Sequence, residues 1–113
     1  MVIHIIRDRA TAQQIQEMNE TLQGKFIKVV VDVEEHILAG GGEMHADCEA
    51  ELIEDGSRQE DLWGANWYSG SGDVEFESVI NIRPKRGNRK TTIEDPQIRA
   101  QVEAVIRKRL EGR

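Results

Sequence analysis

The chain has 113 residues, 15 Lys+Arg against 21 Asp+Glu for a formal net charge of −6, and 38% hydrophobic residues, which suits one small domain and excludes two. A chain of this size buries roughly 65% of its unfolded surface, enough for one core but not for a deep, enclosed active site. The charge is placed unevenly: residues 1–82 hold 5 basic and 17 acidic side chains, a net of −12, and residues 83–113 hold 10 and 4, a net of +6.

Val2 to Ile6 is short, apolar and β-branched and is predicted as a buried strand. His4 breaks it and Arg7-Asp8-Arg9 follows, which is not the pattern of a secretory signal. No run approaches the roughly 18 apolar residues that cross a bilayer, and a lone cysteine, Cys48, allows no internal disulfide. A cytoplasmic protein without a membrane partner is expected. Thr11-Ala-Gln-Gln14 matches a capping box, Ile15, Met18 and Leu22 follow at helical spacing, and Gly24 supplies a stop, so a helix is predicted over 12–23. Lys25 to Val33 alternates, with Ile27, Val29, Val31 and Val33 on one face and Lys28 and Asp32 on the other, as a strand does. Strand, helix, strand in this order implies a right-handed crossover.

After Glu34-Glu35 come Ile37-Leu38, the run Gly40-Gly41-Gly42, and an alternating stretch from Glu43 to Ile53 that is predicted as a further strand. Asp55-Gly56 then signals a two-residue hairpin. In that register Met44, Ala46, Cys48 and Leu52 share a face with Trp67, Ala65, Trp63 and Gln59. A second turn at Ser69–Gly72 pairs Trp67 with Val74, Ala65 with Phe76, Asp61 with Ile80 and Gln59 with Ile82, and both turns put the apolar residues on one face. Asp95 as N-cap and Pro96 at the first helical position open the last helix, whose apolar stripe is Ile98, Val102, Val105, Ile106 and Leu110. Its end carries Arg107, Lys108 and Arg109, where a helix dipole favours cations. The expected fold is α+β: a single, largely antiparallel sheet with elements in the order β-α-β-β-β-β-α, both helices on one face, and one domain over 1–113.

The other sheet face is then the candidate site. It shows His45, Asp47, Glu49 and Glu51 along one strand, facing Asn66, Gly64, Leu62 and Glu60, with Glu75 and Glu77 beyond. An imidazole with carboxylates suits Zn, Mn or Fe, and an all-oxygen group suits Mg or Ca, so His45, Asp47 and Glu49, joined by Asp32, are candidate ligands of a divalent metal. The competing reading is a plain solvated face, which alternates polar residues for its own reasons. Asp61 falls on the apolar face between Ala50 and Ile80, where a carboxylate needs a partner. A salt bridge or helix cap would supply one; with His45, Asp61 is otherwise a candidate catalytic group. The three glycines lack the residues of a phosphate-binding loop and read as a bend leading into a strand. Trp63, Trp67 and Cys48 read as core.

Arg83-Pro-Lys-Arg-Gly-Asn-Arg-Lys90 gathers Arg83, Lys85, Arg86, Arg89 and Lys90 on one loop, as candidate phosphate- or partner-binding residues. Interleaved aromatics are missing and the rest of the chain repels a polyanion, so an acidic face in the same subunit or a partner competes with nucleic acid.

Ile37-Leu-Ala-Gly-Gly-Gly-Glu-Met-His-Ala-Asp-Cys-Glu49, Glu54-Asp-Gly-Ser-Arg-Gln-Glu-Asp61, Trp63-Gly-Ala-Asn-Trp67 and Ile80-Asn-Ile-Arg-Pro84 together resemble an uncharacterised bacterial family, a domain of unknown function found as a short stand-alone protein. The resemblance implies a bacterial cytoplasmic protein and brings no assigned activity. Two classes of function follow from the residues. One is a small binding or interaction module, a homodimer, that uses the acidic sheet face or the basic loop. The other is a metal-dependent enzyme or metal/small-ligand binder centred on His45, Asp47 and Glu49. Nucleic-acid binding through residues 83–90 is a third.

Overall fold

The computed structural model describes residues 1–113. Five strands, β1 (His4–Ile6), β2 (Ile27–Asp32), β3 (Ile37–Gly40), β4 (Leu62–Trp67) and β5 (Val74–Glu75), form one antiparallel sheet in the order β1-β3-β2-β4-β5. Three helices, α1 (Ala12–Glu20), α2 (His45–Glu54) and α3 (Pro96–Ile106), cover it. β3 lies between β1 and β2, so the first strand–helix–strand unit steps over one strand. The α+β class and the antiparallel sheet agree with the pattern in the sequence. No helix is long and apolar enough to cross a membrane.

The helix punctuation acts as its chemistry dictates. Thr11 Oγ1 accepts from Gln14 N at 3.1 Å while Gln14 Oε1 accepts from Thr11 N at 2.9 Å, the reciprocal capping box. Asp95 Oδ1 accepts from Gln97 N at 2.8 Å, with Pro96 occupying the first helical position where its missing N–H costs nothing. α1 and α3 pack on one sheet face around Ile27, Val29, Val31, Leu38, Trp63 and Trp67, with Met18, Val102 and Ile106 fully buried from the helix side.

Three expectations are corrected. Residues 45–54 form α2, not a strand: His45, Cys48 and Leu52 recur at helical spacing, and Ala46, Ala50 and the glutamates favour a helix. Asp55-Gly56 ends that helix instead of turning a hairpin. Gly56 adopts φ +115° and donates to Ile53 O at 3.0 Å, and Ser57 N donates to Leu52 O at 2.9 Å, the two bonds of a Schellman motif. The glycine run accordingly leads from β3 into a helix. Second, the two expected helices, α1 and α3, share one face as predicted, but the additional α2 covers the opposite face, burying Cys48 and Leu52 against Val30, Ile37, Ala39 and Leu62. Third, the turn at Ser69–Gly72 is formed and Trp67 pairs with Val74, but the ladder stops after Asn66–Glu75, so the pairs Asp61–Ile80 and Gln59–Ile82 do not exist.

Beyond that point β4 is bordered by side chain instead of strand. Asn81, fully buried, accepts from Gly64 N at 2.8 Å and donates to Gly64 O at 3.0 Å, replacing one residue of a missing partner strand. A Cβ on Gly64 would stand 2.5 Å from Ser78 Cβ, so only glycine lets this segment close on the edge.

Candidate functional site

Because residues 45–54 are helical, the acidic sheet face does not exist, and its members scatter. His45 is buried at the start of α2, where Nε2 donates to the Ala65 carbonyl at 2.9 Å. Burial pushes its pKa below the usual histidine value, the Ala65 bond opposes this, Lys28 adds to it and Asn66 opposes it. Asp47 turns back to accept from Met44 N at 3.2 Å, capping its own helix. Asp32 is fully buried: Oδ1 accepts from the backbone N of Glu34 and Glu35, both at 2.9 Å, and Oδ2 from Ser57 Oγ at 2.7 Å. Those three donors satisfy the carboxylate and fix the β2–β3 turn. Glu51 is exposed, and Asp61 is half-buried in the single turn before β4, where its carbonyl accepts from Val33 N. His45, Asp47, Glu49 and Asp32 thus do not converge, and no three His, Cys, Asp or Glu side chains are placed to hold one metal ion. Cys48 is buried in the apolar layer under α2, which pushes its thiol up to about 11.

Glu49 is the exception, and it leads to the site. Its Oε2 accepts from Arg83 Nη2 at 3.2 Å, with both side chains 13% exposed. Arg83 reaches it from the basic loop by lying over Trp63, 5.1 Å from the ring centroid, and Arg86 lies over the same ring at 5.9 Å. Burial lowers the Arg83 pKa from its usual value, Glu49 opposes this, Arg86 adds to it and Asp61 opposes it; a guanidinium stays charged through such shifts. Nη1 of Arg83 is buried with no hydrogen-bond partner. Around this pair runs an open groove of about 620 Å³ lined by Glu49, Gln59, Glu60, Ile80, Ile82, Arg83, Pro84, Lys85 and Arg86.

The loop that carries the cations is irregular yet fixed. Asn88, 3% exposed, donates through Nδ2 to the carbonyls of Asn81, Lys90 and Thr92 at 2.8 to 3.0 Å, and its Oδ1 accepts from Glu94 N at 2.8 Å. Asn81 donates to Thr91 O as well. Two buried amides, together with backbone bonds from Ser78 N to Thr91 O and between Arg83 and Asn88 in both directions, hold residues 78–94 in place. On this scaffold Lys85, Arg86, Arg89 and Lys90 are exposed, and none has a carboxylate within 4.0 Å. Sequence reasoning reached these five cations and the core placement of Trp63, which is 1% exposed, but missed that its ring also supports Arg83 and Arg86, and missed Asn81 and Asn88, because a buried asparagine leaves no periodic signal.

Neither a curated protein nor a solved structure matches the chain. Residues 4–109 match the family described as "Protein of unknown function (DUF5674)", and the chain belongs to that family.

Proposed function

We propose that this protein is a binding module whose recognition surface is the α2 side of the sheet together with the basic loop. One observation carries the reading: Lys85, Arg86, Arg89 and Lys90 stand exposed with no carboxylate partner, Arg86 bonding only the Glu60 carbonyl, in a chain that has more carboxylates than cations, on a loop held by Asn81 and Asn88. Long irregular loops that are ordered are concentrated at functional sites. The partner is an acidic surface with apolar contacts, because exposed Val79 and Ile82 flank the cations; a second copy of this chain is one such partner. Burial of the free Cys48 suits a cytoplasmic setting.

Nucleic acid is the second reading, favoured by the same four cations and opposed by the net charge of −6 and the apolar flank. The test is retention on immobilised polyglutamate and on a single-stranded oligonucleotide at low salt, for the wild type and for a Lys85→Ala/Arg86→Ala/Arg89→Ala/Lys90→Ala variant. The proposal expects the wild type to be held by polyglutamate and the variant to pass through. A wild type that is monomeric and not held overturns it, and stronger retention on the oligonucleotide transfers the surface to nucleic acid.

A further inference from the structure

Most of the large apolar side chains that folding leaves exposed lie on the α2 side of the molecule. Met1, Val2, Met44, Ile53, Val79 and Ile82 are 42% to 74% exposed. Met44 and Ile53 stand at the two ends of α2, and Val79 and Ile82 on the loop beside it. Met1 Sδ accepts from Glu43 N at 3.1 Å, which adds Met1 to the same patch at the start of α2, whereas the Val2 carbonyl lies by Gly41 on the side of Met18 in α1. An apolar patch confined to one face marks an interaction surface.

Charge on this face has both signs, and only part of each is neutralised within the chain. Glu49, Asp55 and Glu60 are bound by Arg83, Arg7 and Arg58, but Glu51 and Glu54 on α2 make no ion pair, and neither do Lys85 and Arg86 on the adjoining loop. A surface that sets an acidic helix next to a basic loop, with apolar residues between them, is complementary to its own copy: a two-fold axis brings each helix to the other copy's loop. We infer that the α2–loop face is the interface of a symmetric homodimer, in which Glu51 and Glu54 of each copy meet Lys85 and Arg86 of the other across Met44, Ile53, Val79 and Ile82. This rests on the binding-module reading and names the partner. A foreign acidic partner would satisfy the cations and leave the α2 carboxylates facing like charge; a second copy satisfies both. A stable dimer needs about 800 Å² per partner, roughly an eighth of the 6268 Å² this chain exposes.

Sedimentation equilibrium over a range of protein concentrations tests this with two charge reversals, Glu51→Lys/Glu54→Lys and Lys85→Glu/Arg86→Glu. All four positions are exposed, and circular dichroism confirms that each variant is folded. The wild type is expected to be a dimer, and each reversal alone to be monomeric, with self-association weakened about 100-fold or more by like charges facing each other. Mixed in equal amounts, the two reversals are expected to form a heterodimer, because every swapped charge then meets its opposite. A wild type that stays monomeric yet is held by polyglutamate overturns the dimer and leaves the binding-module reading standing; one that is monomeric and not held overturns both. Reversals that remain dimeric, or that do not associate when mixed, also overturn the assigned interface.

Discussion

Arg83 and Glu49 meet at 3.2 Å with each side chain only 13% exposed, and their contact joins the basic loop to the acidic helix within one chain. The guanidinium is held from below by the Trp63 ring, so it is placed by stacking as well as by charge. The uneven charge of the sequence is thereby closed at one point and left open elsewhere on the same face.

Removing one partner of this pair leaves the other charge buried. Glu49→Ala is expected to destabilise the fold by about 2–3 kcal/mol, somewhat below the cost for a fully enclosed pair because the groove is open to solvent. Arg83→Lys keeps the charge but loses the planar stack and the fork, and is expected to cost about 1–2 kcal/mol. Urea unfolding of both variants, of Arg83→Ala and of the double Glu49→Ala/Arg83→Ala checks this; the double is expected to cost less than the sum of the two alanine singles, and strict additivity contradicts the coupling.

Asn88 holds four backbone groups of the loop at once. Its two amide protons are shared among three carbonyls and its oxygen accepts one bond, so Asn88→Ala is expected to cost about 3 kcal/mol, near 1 kcal/mol for each of three net hydrogen bonds. Asn88→Asp is expected to be worse, although it is nearly isosteric, because a carboxylate oxygen would face three carbonyl oxygens that now receive N–H donors. Thermal unfolding of the two variants ranks them, and an Asp variant more stable than the Ala variant would refute the amide's role as a donor.

His45 sets a pH dependence. Burial holds its folded-state pKa below the unfolded value of about 6.5, so the unfolded chain takes up the proton first. Its contribution is complete above pH 6.5 and is lost as pH falls from there toward the depressed folded pKa, where the loss levels off. Melting temperature should decline from pH 7.5 to 5.5 in the wild type and decline less in His45→Gln. Identical profiles would show that the burial of the imidazole has no such effect. Glu111 acts in a lower window: burial raises its pKa, but bonds from Trp67, Arg107 and Arg113 outweigh this and lower it, so its contribution is lost only as pH falls below the ordinary carboxylate range.

Cys48, with its thiol pushed up to about 11 and no exposed surface, is expected to resist a disulfide reagent at pH 8 in the folded protein and to react fully in denaturant. Labelling in the native state at the rate of the unfolded chain contradicts its placement beneath α2.

What the sequence concealed follows from one ambiguity. Positions 45, 48 and 52 satisfy helical spacing, while Met44, Ala46, Cys48 and Leu52 also fit a period of two, and Asp55-Gly56 suits a helix end as well as a hairpin. The pattern at residues 27–32 carried the deciding hint: Val30 is apolar on the side assigned to solvent with Lys28 and Asp32, and β3 is buried on both faces, which requires a second covering layer. The Thr11–Gln14 capping box, the Asp95 N-cap, the Ser69–Gly72 turn and the α3 stripe were legible because each depends on neighbours in sequence. Arg83 on Trp63, and Asn81 on Gly64, join residues about twenty apart through side chains alone, and no local pattern encodes them.

Hydrogen exchange of the backbone amides at low and high protein concentration tests most directly whether the α2–loop face is the recognition surface. Residues 43–54 and 79–90 are expected to exchange more slowly at high concentration, with α1 and α3 unchanged. Protection that appears on α1 and α3 instead, or on neither face, would contradict the account.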